Sequence, residues 1–308
     1  MSAPALGGEE QRRDRESEMT SNSWNAVRAA FLAGATALAA PAAWAAETAG
    51  TAATQDQGAL RVCASTVEAP YSMKDAKGFE NKIAIAVAEA MGRKAEFVWF
   101  DKAAIYLVRD GLDKKLCDVV LGVDTGDERV LSTKPYFRTG YVYVTRPDEG
   151  EMGTNWQAIE KPQFTKFAMR FQTPAELMIK QAGKYEDTLS YQLSLVNFQD
   201  KRNKYTQVAA DKLVSEVASG EADIAIAFAS DVARYVKESS KPLNVTMIDD
   251  DFTLSDGTKV PLHYDQAMGV RKDDKELAAA LDAAIEKAQP QIDQVLRDEG
   301  VPLLKQSS

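Results

Sequence analysis

The stretch CDVVLGVDTGDERVLSTKPYF, residues 117–137, decides the fold. Its first half is a short apolar run, expected to be a buried strand. It passes into a polar turn with Asp124, Gly126 and Asp127, then an arginine, Arg129, then a Pro-aromatic pair. A strand that ends in a polar turn beside a cation is where a cleft-forming α/β protein grips a small anion. Asp124, five residues before Arg129, puts a negative charge in the same place.

Upstream, ALRVCAS (59–65) reads as a buried strand and KAEFVWF (94–100) as a strand by alternation and aromatic content. Between them GFENKIAIAVAEAMG places apolar residues at 79, 83, 87 and 91, a helical spacing closed by Gly92. AAIYLVRDGLDKKL is expected to be a short amphipathic helix before the strand CDVVLGV. The β-α-β-α-β order implies a parallel sheet with helices on its faces. After a strand at 141–146 the pattern restarts. KFAMRF is a strand, TPAELMIKQAG a helix with Thr173 as N-cap and Pro174 at its first position. SGEADIAIAF is a turn and strand, and SDVARYVKES a helix, with Asp231 expected to cap it. QAMGVRKDD is the last strand, followed by a helical tail interrupted at Pro290 and ended at Gly300. The C-terminal helices have no sheet of their own, so the second α/β unit reads as an insertion in the first. The expected fold is α/β with two lobes around a central cleft: residues 58–140 with 266–305 form the first and 141–265 the second. Two strand crossings, near 138–142 and 263–268, form a hinge.

Of 308 residues, 45% are hydrophobic and 27% charged, an ordinary globular balance. The net charge of −9 makes nucleic acid an unsuitable partner. Residues 1–45 read as a secretory signal: Arg28, an apolar run from Ala29 to Ala40, then an A-x-A site at Ala43-Trp44-Ala45. Residues 1–18 make a poor signal start, so Met19 is the expected initiator, and 46–57 an Ala/Thr-rich linker. The apolar run is too short for a membrane span, and export to a bacterial periplasm is expected. Cys63 and Cys117 are the only cysteines, and both lie in the exported part. An oxidising compartment favours their disulfide over two buried thiols. His263 is the only histidine, which excludes a zinc site of the usual spacing and a His-dependent triad. No nucleophile–base pair or nucleotide loop stands out, so neither an enzyme nor a cofactor is expected.

The strings LRVCASTVEAPYS, GFENKIAIAVAEAMG, LCDVVLG, DERVLSTKPYF, SGEADIAIAF and MGVRKDDKELAAALDAAI resemble the type II periplasmic solute-binding proteins, in their polar amino-acid-binding branch. The resemblance covers nearly all of the mature chain. A narrower set, VCAS, GFENKIA, AIYLVRDGLDKKLCDVVLGVDTGDERVLSTKPY, FQTPAEL, SLVNF and VPLHYDQAMGVRK, is similar to the binding-protein-like accessory proteins of methanol oxidation. That resemblance implies a periplasmic partner, a PQQ-containing methanol dehydrogenase, with calcium- and lanthanide-dependent forms served by two sister branches. It implies help in assembling or activating the enzyme, and no catalytic residues.

In the amino-acid branch an arginine holds the ligand carboxylate, hydroxyls beside it complete the cradle, and an acidic group in the other lobe holds the ammonium. Arg129 matches the arginine, or makes a plain salt bridge. The hydroxyl positions fall on Gly122 and Asp124. At about 4 Å a carboxylate there would repel the ligand's by roughly 1–4 kcal/mol, unless Asp124 pairs with Arg129. The aromatic lid falls near Glu68, with Tyr71 as substitute or as core. The ammonium-binding aspartate falls on Phe228. Gln172 and Thr173 match a polar turn whose N–H groups can bind an anion. PQQ carriage would use Arg129, Arg170 and Gln172. A longer segment, 185–205, offers Tyr185, Tyr191, Phe198, Lys201, Arg202, Lys204 and Tyr205 for a protein partner, or is a helix packed on the second lobe.

Overall fold

The computed structural model describes residues 58–196 and 207–306. The expected signal and linker, and Phe198, Lys201, Arg202, Lys204 and Tyr205, lie outside the described residues. In the first lobe β1 (Leu60–Ser65) pairs in parallel with β2 (Ala95–Phe100), and α1 (Phe79–Ala90) connects them. Phe79, Ile83 and Val87 are fully buried, as the helical spacing requires. β3 (Val120–Asp124) lies on the other side of β1, where the Cys63 N–H donates to the Val119 carbonyl at 2.9 Å. β9 (His263–Val270) returns antiparallel to β3 and to the short β4 (Leu131–Ser132). Helix α6 (Lys275–Glu299) packs on α1 and closes a core of Val62, Ile83, Val119, Met268, Leu281 and Ile292.

Three local expectations are corrected. The segment after β2 is helical but not one α-helix: a 3₁₀ turn at Ala104–Tyr106 runs into a π-helix at Val108–Leu112. Gly111 explains it: a Cβ there would lie 2.9 Å from the Cys117 sulfur and the Phe100 ring, so the chain is pressed onto the sheet. Helix α6 runs through Pro290 without a break. Buried Ala278, Leu281, Ile285, Ile292 and Leu296 hold it along its length, which outweighs one missing N–H donor. Finally, β5 (Phe137–Thr145) is one nine-residue strand that begins four residues before the expected one.

This strand passes from one lobe into the other. Its first half, Phe137–Gly140, pairs with β9. Its second half, Tyr141–Thr145, lies between β7 (Ile224–Phe228) and β8 (Asn244–Met247) in the second lobe. At the change of sheet Gly140 faces His263, and a Cβ on it would lie 2.4 Å from the imidazole and 2.9 Å from the Leu262 carbonyl. The lone histidine donates from Nε2 to the Ile248 carbonyl at 2.7 Å, a structural role.

The second lobe adds β6 (Phe167–Ala168), parallel to β7, and helices α2 (Pro174–Gln181), α3 (Tyr185–Ser194), α4 (Ala210–Ser219) and α5 (Ala229–Glu238). Its cores centre on Tyr143, Phe167, Ile179 and Ile226, and on Val144, Leu213 and Val232. Helix α3 finishes the edge of the sheet with side chains. Buried Thr188 accepts the Phe167 N–H at 3.0 Å, and Gln192 takes both the N–H and the carbonyl of Met169. Tyr185 lies under the Lys180 ammonium at 4.5 Å, and Tyr191 donates to Glu216 at 2.8 Å. Both aromatics are engaged within the lobe. Among the described residues no helix is long and apolar enough to cross a membrane.

Candidate functional site

The lobes enclose a cavity of about 360 Å³. Its first-lobe wall comes from the end of β1, the loop after it, the start of α1 and β3: Ser65, Glu68, Tyr71, Glu80, Asn81, Gly122 and Asp124. Tyr141, Arg170, Thr173, Gln207, Phe228 and Asp231 form the facing wall, and Tyr264 and Gln266 of the crossing strand close the back. Parallel strands aim their C-terminal ends and the following loops at one side of a sheet, which is why loop residues so far apart in sequence converge here.

Arg129 stands outside this cavity. Its guanidinium grips Asp127, with Nε 3.0 Å from Oδ1 and Nη2 2.6 Å from Oδ2, and donates to the Ile105 carbonyl at 3.3 Å. Half of the side chain is exposed. The pairing with Asp124 is therefore replaced by one with Asp127, whose carboxylate is already fixed by the Arg129 N–H at 2.9 Å. Asp124 remains in the cavity and accepts from Gln266 Nε2 at 2.6 Å. Enclosure raises its carboxyl above the ordinary value, partly offset by that amide and by the distant Arg129 charge.

The anion turn of the second lobe serves the chain itself. Gln172 adopts φ of 59° and its N–H donates to Glu176 Oε2 at 2.6 Å. Burial works against the charge on Glu176, but Lys180 and this N–H outweigh it, so its carboxyl titrates below the ordinary value. Thr173 holds the N-cap position without capping: its hydroxyl donates back to the Arg170 carbonyl at 2.7 Å.

Tyr71 is more than core. Its ring packs on Phe79 at 4.8 Å, while its hydroxyl crosses the cleft, donating to Asp231 Oδ1 at 2.7 Å and accepting from Ser230 at 2.7 Å. Asp231 is not a cap, since α5 begins at Ala229. It is a buried member of the site, 3.2 Å from Arg170 Nη1. Phe228, just before α5, stacks with Tyr141 at 5.6 Å and Tyr264 at 5.8 Å. Glu68 accepts the Ala104 N–H at 3.0 Å. Its carboxyl is pushed up by burial, against that N–H and the Arg170 charge.

Sequence reasoning missed Glu80 and misplaced Asp231. Glu80 was visible only as an acidic residue in the first turn of a helix, the commonest surface position for it. In the structure its Oε1 accepts from the buried Tyr136 hydroxyl at 3.1 Å, and that hydroxyl accepts the Gly122 N–H at 3.1 Å. Gly122 has φ of 68°, and a Cβ there would lie 2.5 Å from Glu80 Oε1. The position expected to have lost a hydroxyl thus makes room for a carboxyl. Burial, with Glu68 nearby and only Tyr136 opposing, raises Glu80 to about 8.

A carboxyl raised on folding stabilises the fold only while protonated. Its contribution is complete below the ordinary value of 4.5 and is lost as pH rises towards 8. Glu80→Gln is therefore expected to leave stability at pH 4 unchanged. At pH 8 it should raise stability by about 2–3 kcal/mol, discounted for the water the cavity admits. Paired urea titrations at the two pH values check this, and an equal effect at both would refute it.

Among the described residues no group of His, Cys, Asp or Glu could hold a metal ion. Residues 60–294 match the model of the bacterial extracellular solute-binding proteins, family 3. The chain is 53% identical over 257 residues to protein MoxJ of Methylorubrum extorquens, covering 83% of this chain and 85% of that one. It is 50% identical over 248 residues to protein MoxJ of Paracoccus denitrificans, covering 80% and 90%. The crystal structure of MxaJ from Methlophaga aminisulfidivorans MPT shares its fold with a TM-score of 0.76 and 45% identity, over 80% of this chain and all of that one. This chain belongs to the family 3 bacterial extracellular solute-binding proteins.

Proposed function

We propose that this protein is a non-enzymatic periplasmic accessory protein of methanol oxidation that contacts a PQQ-dependent methanol dehydrogenase during assembly or activation. One observation carries the reading: the family scaffold is kept while its carboxylate clamp is dismantled. Arg129 is tied to Asp127 outside the cavity, the Gln172 N–H is taken by Glu176, and Asp124 lines the cavity instead. A receptor for free amino acids needs the first two and is hindered by the third. Identity of 45–53% to MoxJ and MxaJ supports the methanol-oxidation context. PQQ carriage is disfavoured, because Arg170 is paired with Asp231 and Arg129 lies outside the cavity.

The cleft and its rim hold a segment of the dehydrogenase, and lobe closure follows that contact only as far as the closed form binds it more tightly. The enclosed cavity keeps one rival alive, a receptor delivering a small polar solute to a permease. Affinity capture with the tagged mature protein from the periplasm of methanol-grown cells separates the two. Stoichiometric recovery of a dehydrogenase subunit is expected. Recovery of the protein alone, or with a permease, would refute the accessory role.

A further inference from the structure

We propose that the cavity between the lobes receives an alkylammonium or alkylguanidinium group that carries no carboxylate beside it. This rests on the cleft being the working site, as in the accessory reading, but not on the identity of the partner.

Three independent features converge. The first is the cleft itself, a cavity of about 360 Å³ between the two lobes that is open to solvent, enough for one extended basic side chain or a small amine. The second is the sign of its lining. Glu68, Asp124 and Asp231 face it, with Glu80 as a protonated carboxyl beside them, against one guanidinium, Arg170, already 3.2 Å from Asp231. Glu68 and Asp124 receive hydrogen bonds from neutral donors, the Ala104 N–H and the Gln266 amide. Such donors satisfy an oxygen without supplying positive charge, and a bound cation supplies it. The third is the aromatic lining of the facing wall and the back. Tyr141, Phe228 and Tyr264 form one aromatic group, each ring centre 5.6–6.4 Å from the next. Aromatic faces attract organic cations, whose alkyl stems also gain from apolar contact. A bare metal ion gains little there, and no acidic grouping among the described residues could chelate one.

The excluded carboxylate follows from the same residues. The clamp that would neutralise it is outside the cavity, and Asp124 would repel it.

Isothermal titration of the purified mature protein tests this with agmatine against arginine, which share a guanidinium and differ by the carboxylate. Agmatine is expected to bind at least about tenfold more tightly. Asp124→Asn and Glu68→Gln should each weaken it about fivefold or more, while Asp127→Asn, outside the cavity, leaves it unchanged. Circular dichroism confirms that each variant is folded. A peptide with blocked termini, whose only charge is one internal arginine, distinguishes the source. Tighter binding than agmatine assigns the site to a basic side chain on a partner, and weaker binding to a free amine. Equal binding of arginine and agmatine overturns the proposal, as does the absence of saturation by agmatine and peptide alike. Dehydrogenase capture is read separately: capture without cation binding would sink this inference and leave the accessory role standing, and the converse would do the opposite.

Discussion

Replacing Cys63 and Cys117 together by alanine is expected to lower the unfolding free energy by about 4 kcal/mol. The two residues are joined in the structure with Cα atoms 5.4 Å apart and a sequence separation of 54. Their link ties the middle of β1 to the chain just before β3. The largest part of the effect comes from the unfolded chain, which loses the freedom of a long loop when it is closed. The native neighbourhood adds to it. Both cysteines are buried with Leu107, Leu112, Val120 and Val130, and Gly111 lies against both sulfurs. Urea unfolding of the oxidised protein, of the same protein after reduction, and of the double variant measures it. The reduced protein and the variant should fall together, far below the oxidised form. A loss under about 1 kcal/mol would mean that the unfolded chain is already compact in this region.

Glu299→Ala is expected to cost about 3–5 kcal/mol, the penalty for leaving a buried charge without its partner. Glu299 ends α6 in the first lobe, and Arg234 comes from α5 in the second. Arg234 Nε and Nη2 reach the two carboxylate oxygens at 2.6 and 2.8 Å, and Lys82 of α1 adds a third contact at 3.0 Å. The side chains are 16% and 6% exposed. Burial opposes the Glu299 charge, but the two cations outweigh it and hold its carboxyl below the ordinary 4.5. The pair therefore stabilises above that value, and its contribution is lost as pH falls through the depressed one. Since the contact joins the lobes, the variant should also open. Small-angle scattering is expected to give a larger radius of gyration, while a double replacement, Glu299→Leu with Arg234→Met, recovers most of the stability. An unchanged radius with full loss of stability would make the pair a local brace rather than a connection between lobes.

These contacts bear on how the cleft works. Tyr71 to Asp231 on the cavity side, and Arg234 to Glu299 behind it, join the lobes through the chain's own groups. A ligand that enters must compete with the first of them. Cation binding at the carboxylates and movement of the lobes are thereby linked through Asp231, which answers to both.

Much of the architecture was legible in the sequence. The spacing of Phe79, Ile83 and Val87 sets α1, the apolar runs 60–65 and 119–123 set buried parallel strands, and Gly300 ends the last helix. These signals are local, because burial of one face or of both leaves a period in the chain. Asp124, where a hydroxyl was expected, was also readable, and it lines the cavity.

Only the tertiary structure decided the rest. Whether Arg129 turns to Asp124 or Asp127 depends on the shape of one turn, and both aspartates lie within five residues of it in sequence. That Glu80 enters the cleft depends on an empty Cβ position at Gly122 and a hydroxyl at Tyr136, neither of which is its neighbour in the chain. Asp231 has the spacing of a cap, yet Tyr71 and Arg170 claim its carboxylate from two other segments. Pro290 reads as a break, but packing along α6 outweighs one missing hydrogen bond. In each case the deciding energy is a contact between distant residues. Sequence periodicity records which face of an element is buried, and not which side chain waits on the other side of the cleft.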